Sequence, residues 1–160
     1  MHKVNRISKP AIPLKAYEDF GAFKLFLVDI GLLGAVVDID VKTLLDGNIL
    51  FEEFKGALTE QFVMQQLITF KEKFTYYWSA ENATAEIDFL IQFSGKIIPV
   101  EVKAEENLKV FHQKYNPALT IRTSMSDFRR EEWLVNLPLY ALSELATIII
   151  EQLRERTFPK

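Results

Sequence analysis

A chain of 160 residues with 49% hydrophobic side chains is long enough to fold as one domain around a sizeable core. Cysteine is absent, which excludes disulfide bonds and cysteine-based zinc sites and is typical of the reducing cytoplasm. The N-terminus has no signal-peptide pattern, and every apolar run is much shorter than the roughly 20 residues of a membrane helix. We therefore expect a soluble cytoplasmic protein that does not enter the membrane.

The net charge of −3 argues weakly against nucleic acid as a partner, but the charges are unevenly distributed. Residues 1–15 carry four basic side chains and no acidic one, and residues 109–130 carry five basic side chains and one acidic one. Between them, residues 16–108 carry 16 Asp and Glu against 7 Lys. A carboxylate-rich centre between basic segments suits a metal site beside a phosphate backbone, although a random surface mixture is the simpler explanation of charge alone.

The first 20 residues are predicted to contain a short strand and a linker. Residues 4–7 are predicted to form a short strand, and residues 9–13, with two prolines, an exposed connection. Such a beginning suits the exit from a preceding domain. We therefore expect residues 1–20 to be an N-terminal strand and linker, and residues 21–160 to form the domain itself.

Residues 23–28 are rich in aromatic and branched side chains and are typical of a buried strand. Asp29 is expected to cap a short helix over residues 30–34. Residues 41–45 are expected to form another short helical piece. A long helix follows over residues 51–73, which contain no proline.

Glu60 lies in an unusual place on that long helix. At 100° per residue it falls on the same face as Val63, Met64 and Leu67. A carboxylate in an apolar stripe is costly unless something pairs with it, although a glutamate at the edge of the stripe can extend its carboxylate to water. Glu60 is therefore a candidate member of a polar site.

The rest of the chain is predicted to contain several strands and a closing helix. The strands are expected over residues 75–79, 85–93, 96–103, 119–123 and 133–137, and the helix over residues 139–153. The order of helix, strands and helix is an α/β arrangement in which helices cover a mixed sheet.

Ser94 and Gly95 separate two alternating apolar runs and predict a β-hairpin. With the turn centred there, Phe93 lies opposite Lys96. A four-residue loop would keep the same register. The hairpin therefore fixes which polar residues of its two strands face each other.

In this register Asp88 lies opposite Glu101, and Glu86 lies opposite Lys103. Period-two alternation puts these four side chains on one face. The other face carries only apolar side chains: Ile87, Phe89, Ile91, Ile98, Val100 and Val102. Opposed side chains have Cβ atoms about 5 Å apart, where two carboxylates destabilise each other unless a cation lies between them.

Two hard oxygen ligands at that spacing suit Mg²⁺ or Mn²⁺, with waters and a substrate phosphate completing the coordination. Lys103 is placed to neutralise a phosphate or to orient the attacking water. A solvent-facing hairpin with a Glu86–Lys103 pair explains the same register equally well. Glu60, a third carboxylate that needs a partner, favours the metal site.

The spacing Asp88, twelve residues, then Glu101-Val102-Lys103 resembles the PD-(D/E)XK phosphodiesterase motif, and Glu60 matches the upstream helix glutamate of many members. Ile87 stands where the motif has proline. Six segments in order also resemble the uncharacterised C-terminal domain of bacterial and archaeal AAA-type ATPases, and the resemblance spans roughly residues 4–145. They are residues 23–33, 56–63, 76–78, 85–90, 98–103 and 137–140.

The resemblance implies an α/β, restriction-endonuclease-like three-layer sandwich with a central mixed sheet flanked by helices. It also implies a Mg²⁺ or Mn²⁺ ion at Asp88 and Glu101, with Lys103 and Glu60 as further catalytic residues. A P-loop ATPase domain would precede this region in the parent protein. This chain has no P-loop motif of its own.

Four further residues are candidates for contacts to a nucleic-acid backbone. Arg122 and Ser124 end a predicted strand, and Lys114 and Tyr115 end the segment that follows the motif. We expect a metal-dependent hydrolase of nucleic-acid phosphodiesters, with DNA as the expected substrate and RNA as the alternative. The alternative is a catalytically inactive module that docks the ATPase onto a protein or nucleic acid.

Overall fold

The computed structural model describes residues 1–37, 49–69, 75–80 and 84–157. The strands are β1 (His2–Ile7), β2 (Glu18–Phe26), β3 (Thr75–Ser79), β4 (Glu86–Phe93), β5 (Lys96–Val102), β6 (Thr120–Ser124), β7 (Arg129–Arg130) and β8 (Leu134–Pro138). The helices are α1 (Ile30–Val37), α2 (Ile49–Ile68), α3 (Glu106–Tyr115) and α4 (Leu145–Thr157), with 3-10 turns at Leu14–Tyr17 and Leu139–Glu144. The helical piece predicted over residues 41–45 and the last residues of the predicted long helix lie outside the described residues.

The eight strands form one mixed sheet in the order β2-β1-β3-β4-β5-β6-β8-β7. Strands β5, β6 and β8 are parallel, and α3 is the crossover between β5 and β6. The pairs β1–β2, β3–β4, β4–β5 and β7–β8 are antiparallel, whereas β1 and β3 are parallel. The predicted α/β class with a mixed sheet is therefore confirmed.

Both faces of the sheet carry a buried apolar cluster. One, the α2 cluster, joins Val63 of α2 and Ile149 of α4 to Phe89 and Val100 of the sheet. The other, the α3 cluster, packs α3 and the first 3-10 turn against the opposite face. It contains Leu14, Tyr76, Trp78, Ile87, Leu90, Leu108 and Phe111. The apolar stripe of the long helix thus lies on the sheet as its periodicity predicts.

Strand β1 confirms the strand predicted at residues 4–7, whereas β2 differs from its prediction. Strand β1 lies between β2 and β3 and buries Val4 and Ile7, and β2 crosses the domain boundary expected at residue 20. The prediction of a buried strand at 23–28 is wrong for Phe23 and Leu25, which are 47% and 57% exposed. The reason is that β2 lies at the edge of the sheet. The side of the strand that carries Phe26 packs against the α2 cluster, and the side that carries Phe23 and Leu25 is exposed.

The ends of the helices agree in part with the bounds predicted from the sequence. The Asp29 carboxylate accepts a hydrogen bond from the amide of Leu32 at 2.7 Å, which confirms the predicted cap, although α1 extends to Val37. The predicted closing helix begins as a 3-10 turn and becomes α-helical at Leu145. Strand β7 was not predicted, because two arginines carry no strand signal.

Gln61 holds the end of β2 against α2. Its side chain is buried at 2% exposure. It accepts a hydrogen bond from the amide of Leu27 at 3.0 Å and donates one to the Leu27 carbonyl at 2.8 Å. Both backbone groups just after β2 are thereby paired, which fixes β2 relative to the helix that carries Glu60.

None of the helices in the described ranges has both the length and the apolar content needed to cross a membrane.

Candidate functional site

The hairpin of β4 and β5 forms in the predicted register. Phe93 pairs with Lys96 and, further along, Phe89 pairs with Val100. Ser94 and Gly95 form a two-residue turn with φ values of 46° and 71°, the positive pair that tight hairpins need. The paired residues end at Phe89 and Val100, and just beyond them Asp88 and Glu101 are linked through hydrogen bonds from side chain to backbone.

The two carboxylates are buried and are each bound by the backbone of the opposite strand. Asp88 is 9% exposed and Glu101 is 3% exposed. Oδ2 of Asp88 accepts a hydrogen bond from the amide of Val102 at 2.9 Å, and Oε2 of Glu101 accepts one from the amide of Asp88 at 3.0 Å. Oε1 of Glu101 also accepts a hydrogen bond from Asn107 of α3 at 3.2 Å. This network holds both acids in fixed positions at the ends of their strands.

A β-bulge in β4 changes the face on which residues lie. The register between β3 and β4 slips between Ile87 and Leu90, so one residue of β4 is extra. Ile87 consequently belongs to the α3 cluster, whereas Phe89 belongs to the α2 cluster. The expectation that Ile87 and Phe89 share one apolar face is therefore wrong, because strict alternation does not hold across the bulge.

A basic side chain that the sequence analysis did not identify, Lys24 of β2, contacts three carboxylates of the site. Its ammonium lies 2.5 Å from Glu86, 3.4 Å from Asp88 and 3.6 Å from Glu60. It also lies 5.3 Å from the centre of the Tyr77 ring. The available signal was a single lysine in the otherwise apolar run 23–28, on the same alternation as the buried Phe26.

Glu60 reaches this site from α2, as its place on the apolar stripe suggested. Its side chain is 31% exposed, and the next residues of the stripe, Val63 and Met64, are buried. Burial raises the pKa of Glu60, and the nearby negative charge of Asp88 raises it further, while Lys24 opposes both effects. The helix therefore supplies a third carboxylate near Asp88.

The charges on the buried pair are only partly balanced. Burial and the neighbouring Asp88 raise the pKa of Glu101 to about 8, against the hydrogen bonds from Asp88 and Asn107. Burial also raises the pKa of Asp88, while Lys24 opposes the rise. The ammonium of Lys24 contacts Asp88 directly and stabilises its anion, whereas Glu101, with a pKa of about 8, keeps its proton at neutral pH.

Lys103 does not lie in the expected strand position. Strand β5 ends at Val102, and Lys103 has a left-handed backbone with φ of 69° and an exposed side chain. Its amide donates to the carbonyl of Thr123 at 2.8 Å. Glu86, its expected partner, instead pairs with Ser79 in the sheet and with Lys24 through its carboxylate. Lys103 is thus at the rim of the site rather than against the carboxylates.

The four residues predicted to touch nucleic acid lie in two places. Arg122 is the parallel neighbour of Glu101, and its guanidinium is held by Glu105 at 2.5 Å and Asn136 at 2.9 Å. Ser124 donates to the same Asn136 oxygen at 2.8 Å.

Lys114 and Tyr115 lie at the far end of α3, where both pack near Trp78. Because α3 is the return crossover between β5 and β6, its end lies away from the carboxyl ends of those strands. Only Arg122 and Ser124 therefore lie beside the carboxylate pair.

The donor chemistry of the pair suits a hard divalent cation. One carboxylate oxygen of Asp88 and one of Glu101 accept a hydrogen bond from a backbone amide. The other oxygen accepts one from a side chain, Lys24 for Asp88 and Asn107 for Glu101, which a cation can replace. Across the described parts of the chain, no three His, Cys, Asp or Glu residues are already arranged to hold a metal ion. The fit is therefore to a centre with two protein carboxylates, in which waters or substrate oxygens supply the remaining ligands.

Comparison with known proteins gives a family and no individual relative. Residues 55–142, more than half of the chain, match the model of the domain of unknown function DUF4143. The match includes Glu60, Asp88 and Glu101, whereas Lys24 precedes it. No curated protein and no solved structure matches the chain. The chain belongs to the DUF4143 family, whose domain is found in the C-terminal regions of AAA-type ATPases.

Proposed function

We propose that this chain is a Mg²⁺- or Mn²⁺-dependent phosphodiesterase module with a restriction-endonuclease-like fold, acting on nucleic acid within an AAA-type ATPase. The observation that supports it best is the buried pair of Asp88 and Glu101. Two fixed carboxyl groups whose pKa values are raised by burial, in a site that also contains Glu60, would both be stabilised as carboxylates by a hard divalent cation. DNA is the proposed substrate, with RNA as the other outcome of the assay.

Each part of the site has a separate task in this proposal. When bound, a divalent ion lowers the pKa of its water ligand and neutralises charge on the scissile phosphate. Asp88 and Glu101 hold that ion, and the amides of Asp88 and Val102 fix the orientation of the carboxylates. Lys103, exposed at the end of β5, neutralises the phosphate from the rim.

The substrate would approach along the carboxyl ends of the parallel strands. Arg122 lies beside Glu101 in the sheet, with its guanidinium oriented by Glu105 and Asn136. A phosphate next to the scissile one could replace part of the Glu105 contact, since guanidinium groups bind phosphate and carboxylate with the same geometry. Ser124 adds a hydroxyl at the same edge. Lys114 and Tyr115 would touch only a substrate long enough to reach the far end of α3.

The test compares wild type with Asp88→Asn, using Asp127→Asn as a matched control on an exposed loop. In wild type, Mn²⁺ at about 100 times its dissociation constant should stabilise the fold by about 2.7 kcal/mol. We expect Asp88→Asn to lose this stabilisation and the cleavage of DNA or RNA, and Asp127→Asn to keep both. Cleavage by Asp88→Asn at the wild-type rate in a nuclease-free preparation would refute the proposal.

One observation favours a second function. Lys24 already contacts Glu60, Glu86 and Asp88, which reduces the need for a metal ion at these acids. In that case the domain is a catalytically inactive module that docks the preceding P-loop ATPase domain onto a protein or nucleic acid. It would show an intact fold, no stabilisation by Mn²⁺, and binding that survives changes at Asp88 and Lys103.

A further inference from the structure

The ammonium of Lys24 contacts Asp88, one of the two carboxylates proposed to bind the metal ion. Lys24 is the centre of a carboxylate cluster formed by Glu60, Glu86 and Asp88, all within 3.6 Å of its ammonium. We infer that Lys24 competes with the divalent cation for Asp88, so that the proposed metal centre fills only when Lys24 withdraws. This inference rests on the proposed function, because it concerns occupancy of the same site.

The competition follows from the position of the ammonium. Lys24 donates to Oδ1 of Asp88 at 3.4 Å, the oxygen that no backbone amide binds. A divalent ion on that oxygen would lie within a few ångströms of the ammonium, where two cations repel each other strongly in a partly buried site. The lysine and the ion therefore cannot both contact Asp88.

Lys24 also has a place to which it can withdraw. Its shortest contact, 2.5 Å, is with Glu86, whose side chain is 44% exposed, whereas the side chain of Asp88 is 13% exposed. A rotation about the lysine side chain can give up Asp88 and keep Glu86. Because Lys24 belongs to the edge strand β2, this movement needs no change in the strands that carry Asp88 and Glu101.

Lys24→Gln removes the competing charge, and with it the ammonium that Glu60, Glu86 and Asp88 share. The loss of this ammonium favours metal binding. In wild type the ion must displace a hydrogen bond between two charged groups, so the dissociation constant for Mn²⁺ should fall by about tenfold to a hundredfold in Lys24→Gln. Lys3→Gln is the matched control. It makes the same change of charge on the neighbouring strand, at an exposed lysine that packs over Phe23.

The measurement is calorimetric titration of the whole chain with MnCl₂, for wild type, Lys24→Gln and Lys3→Gln. If repulsion among the three acids prevents Lys24→Gln from folding, the double variant Lys24→Gln/Glu86→Gln restores the charge balance of the cluster. It should still bind Mn²⁺ more tightly than wild type, because the competing ammonium is gone.

Each result decides the matter. Tighter binding in Lys24→Gln, with Lys3→Gln like wild type, supports the competition. A dissociation constant for Mn²⁺ in wild type that is equal to or lower than that of Lys24→Gln overturns the competition, and the proposed function still holds. Binding only in Lys24→Gln supports the competition and argues against a metal-dependent wild-type activity. Absence of binding in all variants overturns both.

Discussion

The buried carboxyl group of Glu101 makes the stability of this domain depend on pH. Its pKa is about 8 in the folded chain against an ordinary value of 4.5. Between these values the folded state keeps a proton that the unfolded state has lost, so stability falls as the pH rises. We predict that Glu101→Gln, which keeps the shape and removes the charge, makes this fall much smaller and leaves the part that the raised pKa values of Asp88 and Glu60 contribute.

The size of the effect follows from the same two values. A rise from 4.5 to about 8 corresponds to at most about 5 kcal/mol, at about 1.4 kcal/mol for each pKa unit. Below about pH 5 the variant should be the less stable protein by about 1 to 2 kcal/mol. Glu101 accepts one hydrogen bond on each of its oxygens, from the Asp88 amide and from Asn107, and the NH₂ group of glutamine cannot accept either of them. Above about pH 8 it should be the more stable one. The two stability curves therefore cross.

The assay is urea unfolding from about pH 4 to about pH 9 in buffer with a metal chelator, which keeps trace cations from the site. Glu151→Gln, an exposed change on α4, should follow the wild-type curve. Parallel curves of unfolding free energy against pH for wild type and Glu101→Gln would refute the reasoning. The ionisation of Glu101 would then not be the cause of the loss of stability at high pH.

Two further predictions concern packing and the attachment of β2. Phe89→Ala should cost about 3 to 5 kcal/mol in urea unfolding, because Phe89 is fully buried with its ring 5.6 Å from that of Phe26. A loss below about 1 kcal/mol would mean that the α2 cluster closes around the gap. Gln61→Ala should cost about 1 to 3 kcal/mol by leaving both backbone groups of Leu27 unpaired. Hydrogen exchange at the Leu27 amide should quicken, and unchanged exchange would contradict the role given to Gln61.

The register of the central hairpin could be predicted because it depends on local information. The Ser94–Gly95 turn and the alternating apolar runs determine the register from Phe93–Lys96 to Phe89–Val100, and Asp88 lies next to Glu101 just beyond these pairs. The stripe on α2 likewise predicted that Glu60 faces the sheet. These features use contacts close in sequence or a single repeating pattern.

The features that could not be predicted depend on pairing between distant strands. The bulge in β4 arises from its pairing with β3, and it moves Ile87 to the opposite face from Phe89. The contact of Lys24 with Asp88 joins strands that are not neighbours in the sheet. The exposure of Lys103 depends on where β5 ends against β6. In each case a long-range contact overrides the local pattern.

The position of β1 between β2 and β3 bears on how the domain can be divided. A fragment trimmed to the family match, residues 55–142, would lose β1 and leave the edge of β3 without its neighbour. It would also lose α4, whose Leu145 and Ile149 cover the sheet beside Phe89. Such a fragment would expose apolar surface on one side and unpaired backbone on another. The piece of chain that is needed for this sheet is therefore longer at both ends than the piece that matches the family model.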